Sequence, residues 1–232
     1  MKIEVWSDVL CPFCYIGKRK LEQALAQFPQ RDQVEVVWKS FQLDPDFQAD
    51  TDALPYADYL QQRKGFPKEQ VAQMLVQVTG TAKQVGLDFH FDRAVVANSF
   101  HAHRLLHLAQ TQGVQNAAKE ALLKAHFEEG KDIGHLPTLT AIGQSVGLAQ
   151  EAIEALWQTD HLADEVQHDI YEARQLQVQG VPFFVFDNKY AISGAQDSSL
   201  FLQALQKTFA EQAPQPLVSG QTGNACDIDG QC

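Results

Sequence analysis

Apolar and polar residues alternate along Lys2-Ile3-Glu4-Val5-Trp6, the pattern of a strand with one face buried. The period then changes. Ile16, Leu21, Ala24, Leu25 and Phe28 fall close to helical spacing, and Pro29 ends the run. Residues 2–7 are therefore expected as a strand and 11–28 as a helix. Val34 to Phe41, mostly β-branched and aromatic, predicts a second strand. Strand, helix and strand at these lengths make a βαβ unit, with parallel strands and a right-handed crossover.

The polar stretch Asp44 to Asp52 breaks this pattern. From Pro55 to about Gln179 the spacing predicts helices and no strand, at about 55–63, 67–86, 99–112, 115–128, 138–147, 149–156 and 160–178. The strand signal returns in Val181-Pro182-Phe183-Phe184-Val185-Phe186. A turn at Asp187-Asn188-Lys189 leads to a short strand from Tyr190, which together read as a hairpin. A last helix is expected over about 197–212, carrying Leu200, Phe201, Leu205 and Phe209. The chain then turns Gly-, Gln- and Ser-rich and ends Cys226-Asp227-Ile228-Asp229-Gly230-Gln231-Cys232. The expected architecture is α/β: one sheet joins the two ends of the chain, and the helical block packs across the end that carries Cys11.

Composition narrows the function. The 232 residues include 45% hydrophobic and 20% charged residues, enough for a large core. The formal net charge of −11 argues against nonspecific nucleic-acid binding, which depends on Lys and Arg neutralising phosphate, and against an anionic membrane surface as partner. Met1-Lys2-Ile3 leads straight into a strand, without an apolar signal region or a run long enough to span a bilayer. A cytoplasmic location is expected. Stable disulfides are rare there, so a close cysteine pair is more often catalytic or metal-binding.

That pair is Cys11-Pro12-Phe13-Cys14. Cys11 falls at a strand-to-helix turn, where unpaired backbone N–H groups and the positive end of the helix dipole favour thiolate over thiol. Such placement lowers a Cys-X-X-Cys pKa into a range of roughly 3.5–7.5. Pro12 suits a first helical turn, having no N–H to leave unpaired. Cys14, one turn on, is placed to close a disulfide. Zinc would need a second Cys or His pair at suitable spacing, and a structural disulfide closing so short a loop would restrict the unfolded chain little. A redox pair is the reading adopted. Asp8 stands where it could take a proton from Cys14, or could be solvated at the strand end. Trp6 is also near the pair in sequence.

Two other groups carry candidate chemistry. His101, His103 and His107 share one expected helix, and His103 and His107 at i, i+4 could hold zinc, yet Arg104 stands where a zinc-protease helix carries Glu. Buried, hydrogen-bonded histidines are the simpler reading, and no metal is expected. Cys226 and Cys232 make a C-x5-C in the acidic tail. They read as a second redox pair relaying electrons to Cys11–Cys14, as an incidental tail disulfide, or as an autoinhibitory mixed disulfide. Asp227 and Asp229 would raise neighbouring thiol pKa values, which suits a resolving role.

The order of elements, with Cys11-Pro12-Phe13-Cys14 after the first strand and Gly180-Val181-Pro182 before the hairpin, resembles the thioredoxin fold with a large all-helical, DsbA-like insertion. Ser7-Asp8-Val9-Leu10, Asn98-Ser99-Phe100-His101-Ala102-His103-Arg104-Leu105 and Gly130-Lys131-Asp132-Ile133-Gly134 are similar to the cytoplasmic FrnE-like branch of the DsbA family. The resemblance covers residues 1 to about 210. It implies a discontinuous thioredoxin-fold domain (1–45 and 178–212), a helical insertion (46–177) and a C-terminal tail (213–232). On the residues alone Pro182 could be an ordinary trans proline at a strand start; the resemblance implies that it is the cis-proline facing the redox pair. The backbone at Val181 would then pair with an extended substrate beside Cys11. The resemblance also implies that Cys11 is the exposed attacking thiolate and Cys14 the buried resolving thiol. Phe13 stands where DsbA has a His, so the thiolate should be less stabilised and the disulfide a weaker oxidant.

Three function classes follow. The first is a protein thiol–disulfide oxidoreductase or isomerase, acting on protein disulfides or thiols with no cofactor beyond its redox-active disulfide and with glutathione as a candidate reductant. The second is a glutathione-dependent isomerase or transferase of the kappa-class or hydroxychromene carboxylate isomerase type, in which a Ser-type residue would replace Cys11. The third is a client-binding chaperone that would tolerate loss of Cys11. Monomer and homodimer both fit the sequence.

Overall fold

Ile3 and Val5 point to one face of the first strand and Trp6 to the other, and both faces are covered. In a computed structural model that describes residues 1–47 and 54–212, strand β1 (Lys2–Ser7) leads into helix α1 (Pro12–Gln27), and a 3-10 turn at Arg31–Gln33 precedes β2 (Glu35–Ser40). β2 lies parallel to β1, with Val5 opposite Trp38. The helical segments follow as α2 (Tyr56–Gln62), α3 (Lys68–Gln84), α4 (Phe100–Thr111), α5 (Gln115–Phe127), α6 (Leu136–Ser145), α7 (Gln150–Gln158) and α8 (Ala163–Gln175). Hairpin β5 (Phe183–Phe186) and β6 (Tyr190–Ser193) then returns to the sheet, and α9 (Ser198–Ala210) closes the described chain. The sheet order is β2-β1-β5-β6, with β5 antiparallel to both neighbours.

The expected fold is therefore present, with one correction. The segment between β2 and β5 is not all helical. Leu54–Pro55 (β3) pairs antiparallel with Val95–Val96 (β4). Two-residue strands have no period for a sequence pattern to reveal; tertiary packing alone sets them.

Three apolar clusters position the site. Ile3, Val5, Leu21, Phe28, Phe184, Phe201 and Leu205 bind α1 and α9 to one face of the sheet. Trp6, Ala173 and Val185 pack α8 on the other face, where the Trp6 indole N–H donates to the Asp169 carbonyl (2.9 Å). The largest cluster joins the helical segment to the start of α1: Val9, Leu10, Tyr15 and Ile16 pack with residues of α2 to α7. The helices thus form the wall and floor of the cysteine loop. Among the described residues no helix is long and apolar enough to cross a membrane.

Candidate functional site: a cysteine pair on a helix start above buried charge

Cys11 is the N-cap of α1 and Pro12 its first residue, the places the sequence predicts. The Cys14 N–H donates to the Cys11 carbonyl (3.0 Å), closing the first turn. Both cysteines are free thiols. Cys11 keeps 5% of its surface and Cys14 none. The difference has the expected sense, but Cys11 is nearly covered rather than exposed, because Val9, Leu10 and the helical segment close round the loop. Phe13, 44% exposed, is the part of the motif that faces solvent.

The distant Val181–Pro182 segment meets the pair. Their peptide bond is cis, and the Cys11 thiol donates to the Val181 carbonyl (3.4 Å). Ladder pairing of β5 begins only at Phe183, opposite Trp6 and Ser193. The backbone of Val181 therefore lies beyond the sheet, beside the sulfur. This approach depends on Gly17, one turn past Cys14: a Cβ there would stand 2.9 Å from Pro182 Cγ and 3.2 Å from Phe184 Cζ. Gly17 belongs to none of the sequence motifs described above. Its position among the buried residues of an otherwise regular helix was the available signal.

Below the pair lies a group of buried polar side chains. Asp8 is fully buried, so the solvated alternative is overturned. Its carboxylate accepts from the Leu10 N–H (3.3 Å) and the Leu43 N–H (2.8 Å) and lies 3.5 Å from His103 Nε2. Burial alone would raise its pKa, but these partners outweigh burial and hold it below the usual carboxylate value. Burial pushes the Cys14 thiol well up, helped by the neighbouring Cys11; Lys119 and the Asp8 backbone oppose it. Lys119 of α5 is completely buried and its ammonium has no hydrogen-bond partner. Burial pulls its pKa down to about 8, against the attraction of Cys14, Asp8 and Cys11. His126, buried with both ring nitrogens unpaired, is pulled down to about 4 by burial.

Polar contacts at its two flanks hold α5 in place. Gln115 bridges the Trp38 backbone, accepting from its N–H and donating to its carbonyl, both at 2.9 Å. Glu120 accepts from Tyr15 OH (2.6 Å), Lys18 Nζ (2.7 Å) and Arg19 on α1. Burial would raise the Glu120 pKa; these donors, Arg19 foremost, bring it to about 2. Gln115, Lys119 and His126 are polar residues on the buried face of a helix. That irregularity is visible in the sequence as polar residues within an apolar-periodic helix.

The three histidines of α4 separate. His103 faces Asp8, while His107 Nε2 lies 3.0 Å from Asp169 and 3.1 Å from Ser40 Oγ. Both contacts use the same nitrogen, so Ser40, His107 and Asp169 do not form a nucleophilic triad, in which the base would need one ring nitrogen for each partner. Cys226 and Cys232 lie outside the described residues.

A family model described as a DSBA-like thioredoxin domain matches residues 2–206. The chain belongs to this family. A crystal structure of a probable DsbA oxidoreductase from Streptomyces coelicolor is 38% identical, with 99% of this chain and 97% of that one covered and a TM-score of 0.86. Two more distant structures share the fold. The cytosolic disulfide reductase DsbM of Pseudomonas aeruginosa, solved with GSH, is 18% identical, with 91% and 97% coverage and a TM-score of 0.61. A 2-hydroxychromene-2-carboxylate isomerase is 15% identical, with 91% and 97% coverage and a TM-score of 0.65. The DSBA-like family is one of oxidoreductases that work through a redox-active disulfide, and in this chain the pair available for that chemistry among the described residues is Cys11–Cys14.

Proposed function

We propose that this chain is a cytoplasmic thiol–disulfide oxidoreductase or isomerase of the FrnE-like type that exchanges disulfides with protein substrates. The observation that carries this reading is the placement of Cys11 at a helix start, against a backbone segment outside the sheet ladder, with Cys14 fully buried behind it. An extended substrate segment can pair with the Val181 backbone, as an added strand pairs with an exposed sheet edge. Its disulfide then meets Cys11 first. Cys11 thiolate attacks one sulfur and forms a mixed disulfide; Cys14 attacks Cys11 Sγ, closes the 11–14 disulfide and releases the reduced substrate. Substrate oxidation is the reverse path. Exposed Phe13 gives an apolar contact beside the reacting sulfur. A cleft of about 610 Å³ between Gln42, Phe47, Asn98, Phe100 and His135 has neither cysteine in its wall. Glutathione is the proposed reductant, in line with the DsbM structure solved with GSH, and Cys226 and Cys232 are proposed as a relay pair.

Trapping tests this reading. In a Cys14→Ser variant the mixed disulfide on Cys11 cannot be resolved. After exposure to cell lysate, mass spectrometry should find proteins joined through Cys11, and a link to Cys226 or Cys232 would add the relay. Glutathione alone, or no adduct, would overturn the protein-disulfide reading in favour of the small-molecule isomerase or the chaperone.

A further inference from the structure

Helix α3 buries Val71, Val78 and Ala82 against the body of the protein. Its outer side is not uniformly polar. Val76 keeps 75% of its surface, more than any other large apolar side chain among the described residues. Ala72 and Gly80, four residues to either side, are also exposed. Residues four apart share a helix face, so the three form one apolar ridge. Beside it runs a cleft of about 400 Å³, with Leu75 and Thr79 on the helix side and Phe89 and Phe91 across it. Gly80 has no packing reason among its own neighbours. A glycine inside a helix destabilises it relative to alanine, and where one is kept it usually answers to a close contact. Gly17 and Gly143, the other glycines inside helices of the described residues, have such contacts: a Cβ would stand 2.9 Å from Pro182 Cγ and 2.8 Å from Ile153 Cδ1. Among the described residues, a Cβ on Gly80 would meet nothing within 4 Å. The close approach that glycine permits there is left for another surface.

The charges on this face select the occupant. Glu69 lies seven residues before Val76 and Lys83 seven after it, both exposed, and residues seven apart lie on one stripe of a helix. Consider a second α3 laid antiparallel across the first, with the two-fold axis at Val76. Val76 then meets its own copy, Ala72 faces the partner's Gly80, and Glu69 faces the partner's Lys83. A parallel arrangement would instead set Glu69 beside Glu69 and Lys83 beside Lys83. A two-fold interface must be self-complementary, and the antiparallel pairing is. We infer that this chain forms a homodimer through antiparallel α3 helices centred on Val76, each copy covering the cleft beside the other's ridge. One helix face against its twin is a small interface, so the dimer is of the weak, exchanging kind. Dimerisation through α3 is independent of the redox chemistry proposed above.

Sedimentation velocity of the full chain in reducing buffer, from about 1 μM to about 500 μM, covers the range in which so small an interface associates. The weight-average mass should climb from 25.9 kDa toward twice that value. Glu69→Lys and Lys83→Glu, each alone, set like charges opposite one another and should weaken association at least about tenfold. The double variant Glu69→Lys/Lys83→Glu restores both pairs with the signs reversed and should recover wild-type association. Val76→Lys should abolish it. All three positions are exposed, so the variants should fold. A chain that stays monomeric at every concentration overturns the proposal and leaves the face to a different protein or to residues of this chain outside the described range. A dimer that Val76→Lys leaves intact, or that the double swap does not restore, also overturns it, because the copies then meet through another face or another register.

Discussion

Gly17 on α1 and Pro182 before β5 are packed so closely that a Cβ on Gly17 would stand 2.9 Å from Pro182 Cγ. This contact draws the helix carrying Cys11 and Cys14 against the segment whose Val181 carbonyl accepts from Cys11. Gly17→Ala should gain up to about 1 kcal/mol in helix propensity, yet overpacking of this kind costs about 1–3 kcal/mol. The expected outcome is a net loss of about 1 kcal/mol in denaturant unfolding together with slower disulfide exchange. Stability and exchange at wild-type levels would show that the segment yields freely.

Phe13 lies between the cysteines, 44% exposed, and cannot donate a hydrogen bond or carry charge. Phe13→His would place an imidazole at the helix start beside Cys11. Its protonated form favours the thiolate, hence the reduced pair. The reduction potential, measured against glutathione buffers, should rise by at least about 30 mV, which for two electrons is about a tenfold change in equilibrium constant. A potential that stays the same or falls would rule out this explanation of the Phe13 effect.

His126 makes stability depend on pH. Its folded pKa is pulled down to about 4 by burial, against an unfolded value of about 6.5. Between these values the unfolded chain binds a proton that the folded chain refuses. Stability is therefore intact above about pH 6.5 and falls as the pH drops toward 4, by about 3 kcal/mol from this group. His103, also buried, acts in the same sense. His126→Leu should flatten the stability curve across that window, and it removes two unpaired ring nitrogens from the Tyr56–Phe127 cluster. Urea titrations at pH 7.5 and pH 5 would check it; an unchanged difference between the two would contradict the assignment.

The element pattern was legible because it is local. A period of two across residues 2–6, helical spacing from Ile16 to Phe28 and an apolar run at 181–186 each arise from local contact with the core. Patterns of this kind predicted β1, β2, β5, β6 and each α-helix of the described residues, and Cys-X-X-Cys at a strand-to-helix turn announced its chemistry. What the sequence could not decide depends on which distant faces meet. The β3–β4 pairing, the near-complete covering of Cys11 and the burial of Asp8 all follow from the helices between β2 and β5 closing over the cysteine loop. Lys119 is buried because α5 is tied to β2 through Gln115 and to α1 through Glu120, segments about 80 to 100 residues away. A local pattern can mark a polar residue on an apolar face as unusual. Only the packed structure shows that it is buried, because its burial is created by segments far away in the chain.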